Sequence, residues 1–324
     1  MPKLILTFDY ELFLGEDSGT AKNSILEPTD KIIKLLKKYD SKAIFFVDTT
    51  YLMALEKFKH KDLEPILEQL KEIVYIGSSV ELHLHPQWLD AVPNGEDRWS
   101  FKTFDRYRLH SLPKDEIEKV FSNSVDFLRK NIGVNPIVFR AGGWSITPFN
   151  ILKDSFLKNG IKIDMSVLPK FYKKELPMHY YDFLDTPQKE YYRFSDNVTK
   201  EDNNGEVLEI PVTTFYMNGY DLAINNIINK INKENYFGDG RGLSSSNVRG
   251  NIIKRLFNKN LRKATIENQS FYMFQKSLNK IEKRELLSYV MHPKTLSDTS
   301  LKNFEYLVKN YKTLNSQDIL KEYF

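Results

Sequence analysis

The 324 residues carry 47 Lys and Arg against 43 Asp and Glu, a net charge of +4 too balanced to point to a nucleic-acid partner. Cysteine is absent, which excludes disulfides and thiolate metal sites and leaves six histidines, with Asp and Glu, to hold any transition metal. No uninterrupted apolar run reaches the ~18 residues of a membrane helix, and Met1-Pro-Lys3 runs into a strand without a secretory-leader pattern, so no transmembrane segment and a cytoplasmic location are expected.

Taken in chain order, short apolar runs alternate with longer amphipathic segments, the pattern of a parallel sheet with crossover helices. Strands are predicted at Leu4–Phe8, Ala43–Val47, Val80–Leu84, Ile137–Phe139, Ile161–Ile163, Val207–Ile210 and Ser288–Met291. Between them helices are predicted at Thr29–Tyr39, Asp62–Lys71, Lys114–Lys130, Pro148–Asn159, Leu222–Asn232 and Thr299–Lys309. Pro28 and Pro113 stand where a first-turn proline is tolerated, and Gly160 stands at a usual helix stop. Two stretches break the alternation. Residues 170–205, rich in Tyr, Lys, Asp and Pro, read as a long loop or small excursion. Residues 234–277 begin with Gly238-Asp-Gly-Arg-Gly242 and read on as a basic helix. The glycine cluster lacks the Gly-Lys-Ser/Thr ending of a phosphate loop. A single elaborated domain over 1–324 is expected.

The polar residues fall at the strand ends. Leu4–Phe8 is followed by Asp9-Tyr10-Glu11, and Ala43–Val47 by Asp48. The strand at Val80 carries His83 and His85, and the later strands lead to Arg140, Asp164 and His292. In barrels and open α/β sheets the C-terminal edge is where catalytic groups gather. One such residue means little, because strands stop where polarity starts. Six strands doing so argue for a site.

In Glu81-Leu-His-Leu-His-Pro86, residues 81, 83 and 85 share one strand face because side chains alternate with period two. Two imidazoles at i and i+2 can reach one metal ion, with a carboxylate from another strand as third ligand and an open fourth position. His60, His110 and His179 have no partner in sequence and read as surface residues. The 22 Phe and 18 Tyr mostly supply a core, with some available to stack against sugar rings.

At these residues the sequence resembles the polysaccharide deacetylase family, carbohydrate esterase family 4. Thr7-Phe-Asp-Tyr-Glu11, His83-Leu-His-Pro86, Phe139-Arg-Ala-Gly-Gly-Trp144, Gly160-Ile-Lys-Ile-Asp164 and Val290-Met-His-Pro293 resemble its five blocks, in order. There are departures: the family's second histidine usually lies four residues after the first, not two, and its adjacent Asp-Asp is here Asp9-Tyr10-Glu11. The Leu-His-Leu-His-Pro form is similar to that of relatives without signal peptides.

The resemblance implies a distorted (β/α)7 barrel with loop and helix elaborations, and a metal-dependent hydrolase removing an N-acetyl group from a sugar. It implies one divalent ion, zinc by default, held by His83, His85 and a carboxylate, Glu11 or Asp48. Asp9 would be the general base held ionised by Arg140, and His292 the general acid oriented by Asp164. Tyr10, Trp88 and Trp144 are expected to line the pocket. A cytoplasmic address narrows the substrate to an N-acetylated sugar, sugar nucleotide or lipid-linked saccharide of surface polysaccharide synthesis. Hydrolysis of another C–N bond, a formamide or cyclic amide, and a non-catalytic saccharide-binding barrel are the alternatives. The basic residues Lys254, Arg255, Lys259, Arg262 and Lys263 read as a solvated helix face, or as a contact for pyrophosphate or a membrane surface.

Overall fold

The computed structural model describes residues 1–103, 105–175, 179–233, 235–242 and 258–324. Strand β1 (Lys3–Tyr10) leads to α1 (Glu27–Lys38), β2 (Ile44–Asp48), α2 (Thr49–Lys57), α3 (Leu63–Tyr75) and β3 (Ser79–Leu84). A short hairpin, β4 (Val92–Asn94) and β5 (Arg98–Ser100), precedes α4 (Lys114–Ile132), β6 (Val138–Ala141), α5 (Lys153–Asn159) and β7 (Ile163–Asp164). The hairpin β8 (Tyr172–Glu175) and β9 (His179–Asp182) and strand β10 (Tyr192–Phe194) make the 170–205 stretch a small excursion. Next come β11 (Val207–Glu209), β12 (Thr214–Asn218), α6 (Gly219–Ile231) and β13 (Lys259–Lys263). Last are α7 (Phe271–Ile281), β14 (Leu286–Met291), α8 (Asp298–Asn310) and α9 (Ser316–Tyr323).

One sheet runs in the order β10-β11-β7-β6-β3-β2-β1-β14. All its pairings are parallel except β10 with β11. The seven parallel strands are those predicted from the apolar runs, and the curled sheet with its helices is a distorted (β/α) barrel. The gap between β11 and β14 is spanned by single residues rather than strands. Thr213 N donates to Ser288 O at 3.0 Å, Ala264 N to Thr213 O at 2.7 Å and Val290 N to Ala264 O at 3.1 Å. These bonds satisfy buried backbone groups that an open edge would leave unpaired.

Period two divides the core. Leu4, Leu6, Phe8 and Tyr10 join the large apolar cluster, with Phe45, Val47, Leu82, Leu84 and the helices. Ile5, Ile44, Phe46, Val138, Ile163, Met165, Leu208 and Ile210 form a smaller cluster on the opposite sheet face, closed by Ile319 of α9. Along that face of β1 the residues after Ile5 are Thr7 and Asp9, so the enclosed side turns from apolar to polar towards the strand ends. The site sits at that polar end.

Three helices went unpredicted: α2, α7 and α9. α2 follows β2 with no linker, since Asp48 ends the strand and caps the helix. The helix expected at Lys259, Arg262 and Lys263 is not found; within 234–277 the described helix is the start of α7, from Phe271. Residues 259–263 are a strand, β13, paired antiparallel with β12, and Lys254 and Arg255 lie outside the described residues. In β12 Phe215 and Met217 are buried while Tyr216 between them, the partner of Leu261, is exposed, the period-two alternation of a two-stranded ribbon. His60 and His110 are half-buried and do have partners: their Nε2 atoms bond Glu96 O at 2.9 Å and Pro148 O at 3.0 Å, and His60 packs on Trp99. The side chain of His179 lies outside the described residues.

Candidate active site

Asp9 and Glu11 leave the end of β1 on the same face, and His83 and His85 leave β3, whose His83 lies beside Asp48 and Arg140 in register. His292 follows β14. Asp9, Glu11, His83, His85 and His292, with Phe13, Tyr107, Trp144, Glu267 and Lys294, line a cavity of about 360 Å³, within the size range of small-molecule sites.

Glu11 Oε2 lies 3.2 Å from His83 Nε2 and 2.8 Å from His85 Nε2, and the two ring nitrogens are 3.1 Å apart. His83 Nδ1 lies 2.7 Å from Arg140 O. A carbonyl only accepts, so Nδ1 carries the proton and Nε2 presents a lone pair. With Glu11 Oε2 and His85 Nε2 beside it, three possible ligand atoms converge in a buried place, an arrangement that suits a cation. Two ligands on a tetrahedral ion with bonds near 2.0–2.1 Å stand about 3.3 Å apart, and the trio is close to that spacing. The residues fit a divalent metal. Gly142 is required by this packing, because a Cβ there would meet Leu84 O at 2.4 Å and His85 Nδ1 at 2.8 Å.

Glu11 is held on its other oxygen by Lys294, whose Nζ donates to Oε1 at 2.8 Å and to Leu12 O at 2.7 Å. Burial alone would raise the carboxyl's pKa, but Lys294, then His85 and His83, bring it well below the usual range. The same carboxylates act in reverse on His83: against burial, Glu11 and Asp9 raise it to about 9. The site therefore attracts positive charge.

Asp48 takes a different place. Its Oδ1 accepts from Thr50 Oγ1 at 2.5 Å and Tyr51 N at 3.4 Å, capping α2, and it stands outside the trio of mutually close ligand atoms. Burial raises its pKa.

Arg140 Nη1 donates to Asp9 Oδ1 at 2.5 Å and Thr7 Oγ1 at 2.7 Å, and Nε to Met165 O at 3.0 Å. Burial pushes the Asp9 carboxyl up, but Arg140, then His292 and His83, outweigh it and keep its pKa low. Asp9 Oδ2 faces His292 Nε2 at 3.4 Å.

The partner of His292 is not Asp164. Glu267 Oε1 lies 2.7 Å from His292 Nδ1 and accepts from Thr295 Oγ1 at 2.8 Å. Burial would raise Glu267, yet His292 beside it holds it at about 2. Asp164 instead accepts from Ser166 N at 3.1 Å and Ser166 Oγ at 2.7 Å and stands next to Glu209 on β11. Ile163 and Met165 both face the smaller cluster, so the residue between them faces away. Burial raises both acids, Glu209 the further because Asp164 is beside it.

Two predicted pocket aromatics are also corrected. Tyr10 alternates with Asp9 and Glu11, so it points into the large cluster, its hydroxyl 2.8 Å from Gln69 Oε1. Trp88 is buried among Tyr51, Trp99 and Phe101. Trp144 alone of the three lines the cavity, half-buried, with the Arg140 guanidinium 5.6 Å from its ring. Sequence reasoning missed Glu267, Lys294, Tyr107 and Phe13. Lys294 had a signal, since it directly follows His292-Pro293 beyond a strand end.

Residues 2–152 match the family model described as polysaccharide deacetylase. The matched stretch, 151 of the 324 residues, is similar to that family. It contains Asp9, Glu11, His83, His85 and Arg140, whereas His292 and Glu267 come from the remainder. A structure described as a proposed polysaccharide deacetylase from Mycobacterium smegmatis superposes with a TM-score of 0.51 at 13% identity, covering 98% of this chain and 88% of that one. The 4-alpha-glucanotransferase of Thermococcus litoralis gives 0.56 at 10% identity, covering 99% of this chain and 40% of that one. At such identities these two likenesses establish the fold alone. None of the curated protein sequences matches.

Proposed function

We propose that the protein is a metal-dependent N-deacetylase of a saccharide, acting in the cytoplasm on an N-acetylated sugar, sugar nucleotide or lipid-linked intermediate of surface polysaccharide synthesis. The observation that carries this reading is the meeting of three groupings in one cavity: Glu11 with His83 and His85, Asp9 with Arg140, and His292 with Glu267. It rests as well on the deacetylase family match.

Glu11, His83 and His85 would hold one divalent ion, zinc by default. Such an ion supplies activation of water and polarisation of the acetyl carbonyl. Asp9, kept ionised by Arg140, takes the proton from the attacking water. His292, with Nδ1–H tied to Glu267, presents Nε2 to the cavity and delivers a proton to the departing amine. Glu267 stabilises the imidazolium in which that proton is stored. Trp144, Tyr107 and Phe13 give apolar walls for the acetyl methyl or the sugar face.

Metal analysis joined to acetate release from N-acetylated sugars, sugar nucleotides and lipid-linked saccharides tests the reading. About one divalent ion per chain and acetate release that is lost in His292→Ala, with the ion retained, are the expected results. Formate release from a formamide in place of acetate would move the assignment to another C–N bond. Full activity in His292→Ala, or no ion after loading with zinc, would overturn it.

A further inference from the structure

Helix α6 packs Leu222 on the core but also carries apolar residues on its outer face. Its buried residues are Gly219, Asp221 and Asn225. Asn225 Oδ1 accepts from Ser270 N at 2.8 Å and Ser270 Oγ at 2.9 Å, its Nδ2 donates to Asn268 O at 3.0 Å, and Asp221 accepts from the Tyr272 hydroxyl at 2.7 Å. The outward residues are Tyr220, Ile224, Ile227 and Ile231, exposed by 50%, 38%, 57% and 73%. Offsets of four, seven and eleven place them on one stripe. Isoleucines exposed singly are ordinary, but an aligned stripe on a helix anchored through its polar face points to an apolar environment that covers it.

The surroundings say what kind. β12 runs directly into α6, and its exposed Tyr216 pairs across the ribbon with Leu261. Lys259 and Lys263, at i±2 from Leu261, share that face. The Lys263 ammonium lies 5.3 Å from the Trp144 ring, and Trp144 lines the active-site cavity. The ribbon thus runs from the cavity mouth to the start of the stripe, and exposed Lys230 and Lys233 stand at the stripe's far end. The single carboxylate of α6 is the buried Asp221, and β13 has none. The surface is apolar and cationic together.

We propose that α6 and the β12–β13 ribbon form a peripheral docking surface for a bilayer carrying anionic lipids, which holds the cavity mouth at the interface. The isoleucines enter the headgroup–acyl boundary, Tyr216 and Tyr220 sit at headgroup level, and the lysines meet lipid phosphates. A second copy of the chain suits the surface less well, because a two-fold axis sets the lysines of one copy against those of the other. The proposal does not depend on the deacetylase reading, since docking is measured without turnover.

Co-sedimentation of the full chain with phosphatidylcholine vesicles, with and without phosphatidylglycerol, tests it. Binding to the anionic vesicles that weakens with salt is expected. Ile227→Ser with Ile231→Ser should weaken it by about tenfold or more, and Lys230→Gln with Lys259→Gln by about fivefold per lysine. All four side chains are exposed, so the thermal midpoints should stay with the parent's, and the lysine variant tests the surface by charge alone. No sedimentation with either vesicle, or binding untouched by both variants, overturns the proposal. A dimer in light scattering that the isoleucine variant dissociates also overturns it, by assigning the stripe to a subunit interface.

Discussion

Glu267 Oε1 lies 2.7 Å from Nδ1 of His292 and 2.5 Å from the backbone nitrogen of the same residue. One carboxylate oxygen therefore grips both ring and main chain, fixing the tautomer and direction of the imidazole across 25 residues of sequence. Removing that charge should loosen the grip on the imidazole. Glu267→Gln is expected to lower turnover by about 10²-fold or more. Asp164→Asn should leave turnover near the parent's. Turnover of the two variants, compared at equal metal content, separates the partner found in the fold from the one that the strand-end pattern suggested.

The ligand trio makes a sharper claim than the carboxylates taken together. Glu11→Gln, or His83→Ala with His85→Ala, should abolish metal loading. Asp48→Asn, which keeps a good N-cap side chain, should retain the ion, whereas Asp48→Ala should retain it at a cost of about 1 kcal/mol in stability. Metal content and chemical denaturation of the same samples check both halves.

Gly142 has no room for a side chain. In Gly142→Ala the added methyl presses on the Leu84 carbonyl and the His85 ring. Overpacking of this kind costs about 1–3 kcal/mol, and here the yielding group is a ligand. Lower stability together with weaker metal retention under dialysis against a chelator is the expected outcome.

Far from the cavity, Glu81 Oε2 accepts from Ile137 N at 2.8 Å and Val138 N at 2.9 Å. Burial raises its pKa to about 7 despite those donors. A raised acid binds its proton more tightly folded than unfolded, so stability should fall as pH rises from about 4.5 to about 7, by roughly 3 kcal/mol, and level off above. Glu81→Gln retains an oxygen for both donors and cannot titrate. Denaturation midpoints against pH should slope in the parent through that window and run flatter in the variant.

The barrel's seven parallel strands were legible because each is an apolar run of limited length, and period two is a local property of any strand. The same rule put His83 and His85 on one face, where the fold brings their Nε2 atoms 3.1 Å apart. Applied further, it would have turned Tyr10 away from Asp9 and Glu11, and Asp164 away from the inner side, as the structure does. Trp88 had no such rule, since it follows the strand in a short 3-10 turn.

What the amino-acid order determined by itself was which side chains leave the strand ends and with what alternation, because those depend only on backbone geometry over a few residues. Tertiary structure alone decided that Glu267 serves His292, that Lys294 holds Glu11, and that Asp48 caps a helix outside the ligand trio. These pairings join segments brought together by closure of the barrel and by irregular chain, where no period links position in sequence to direction in space.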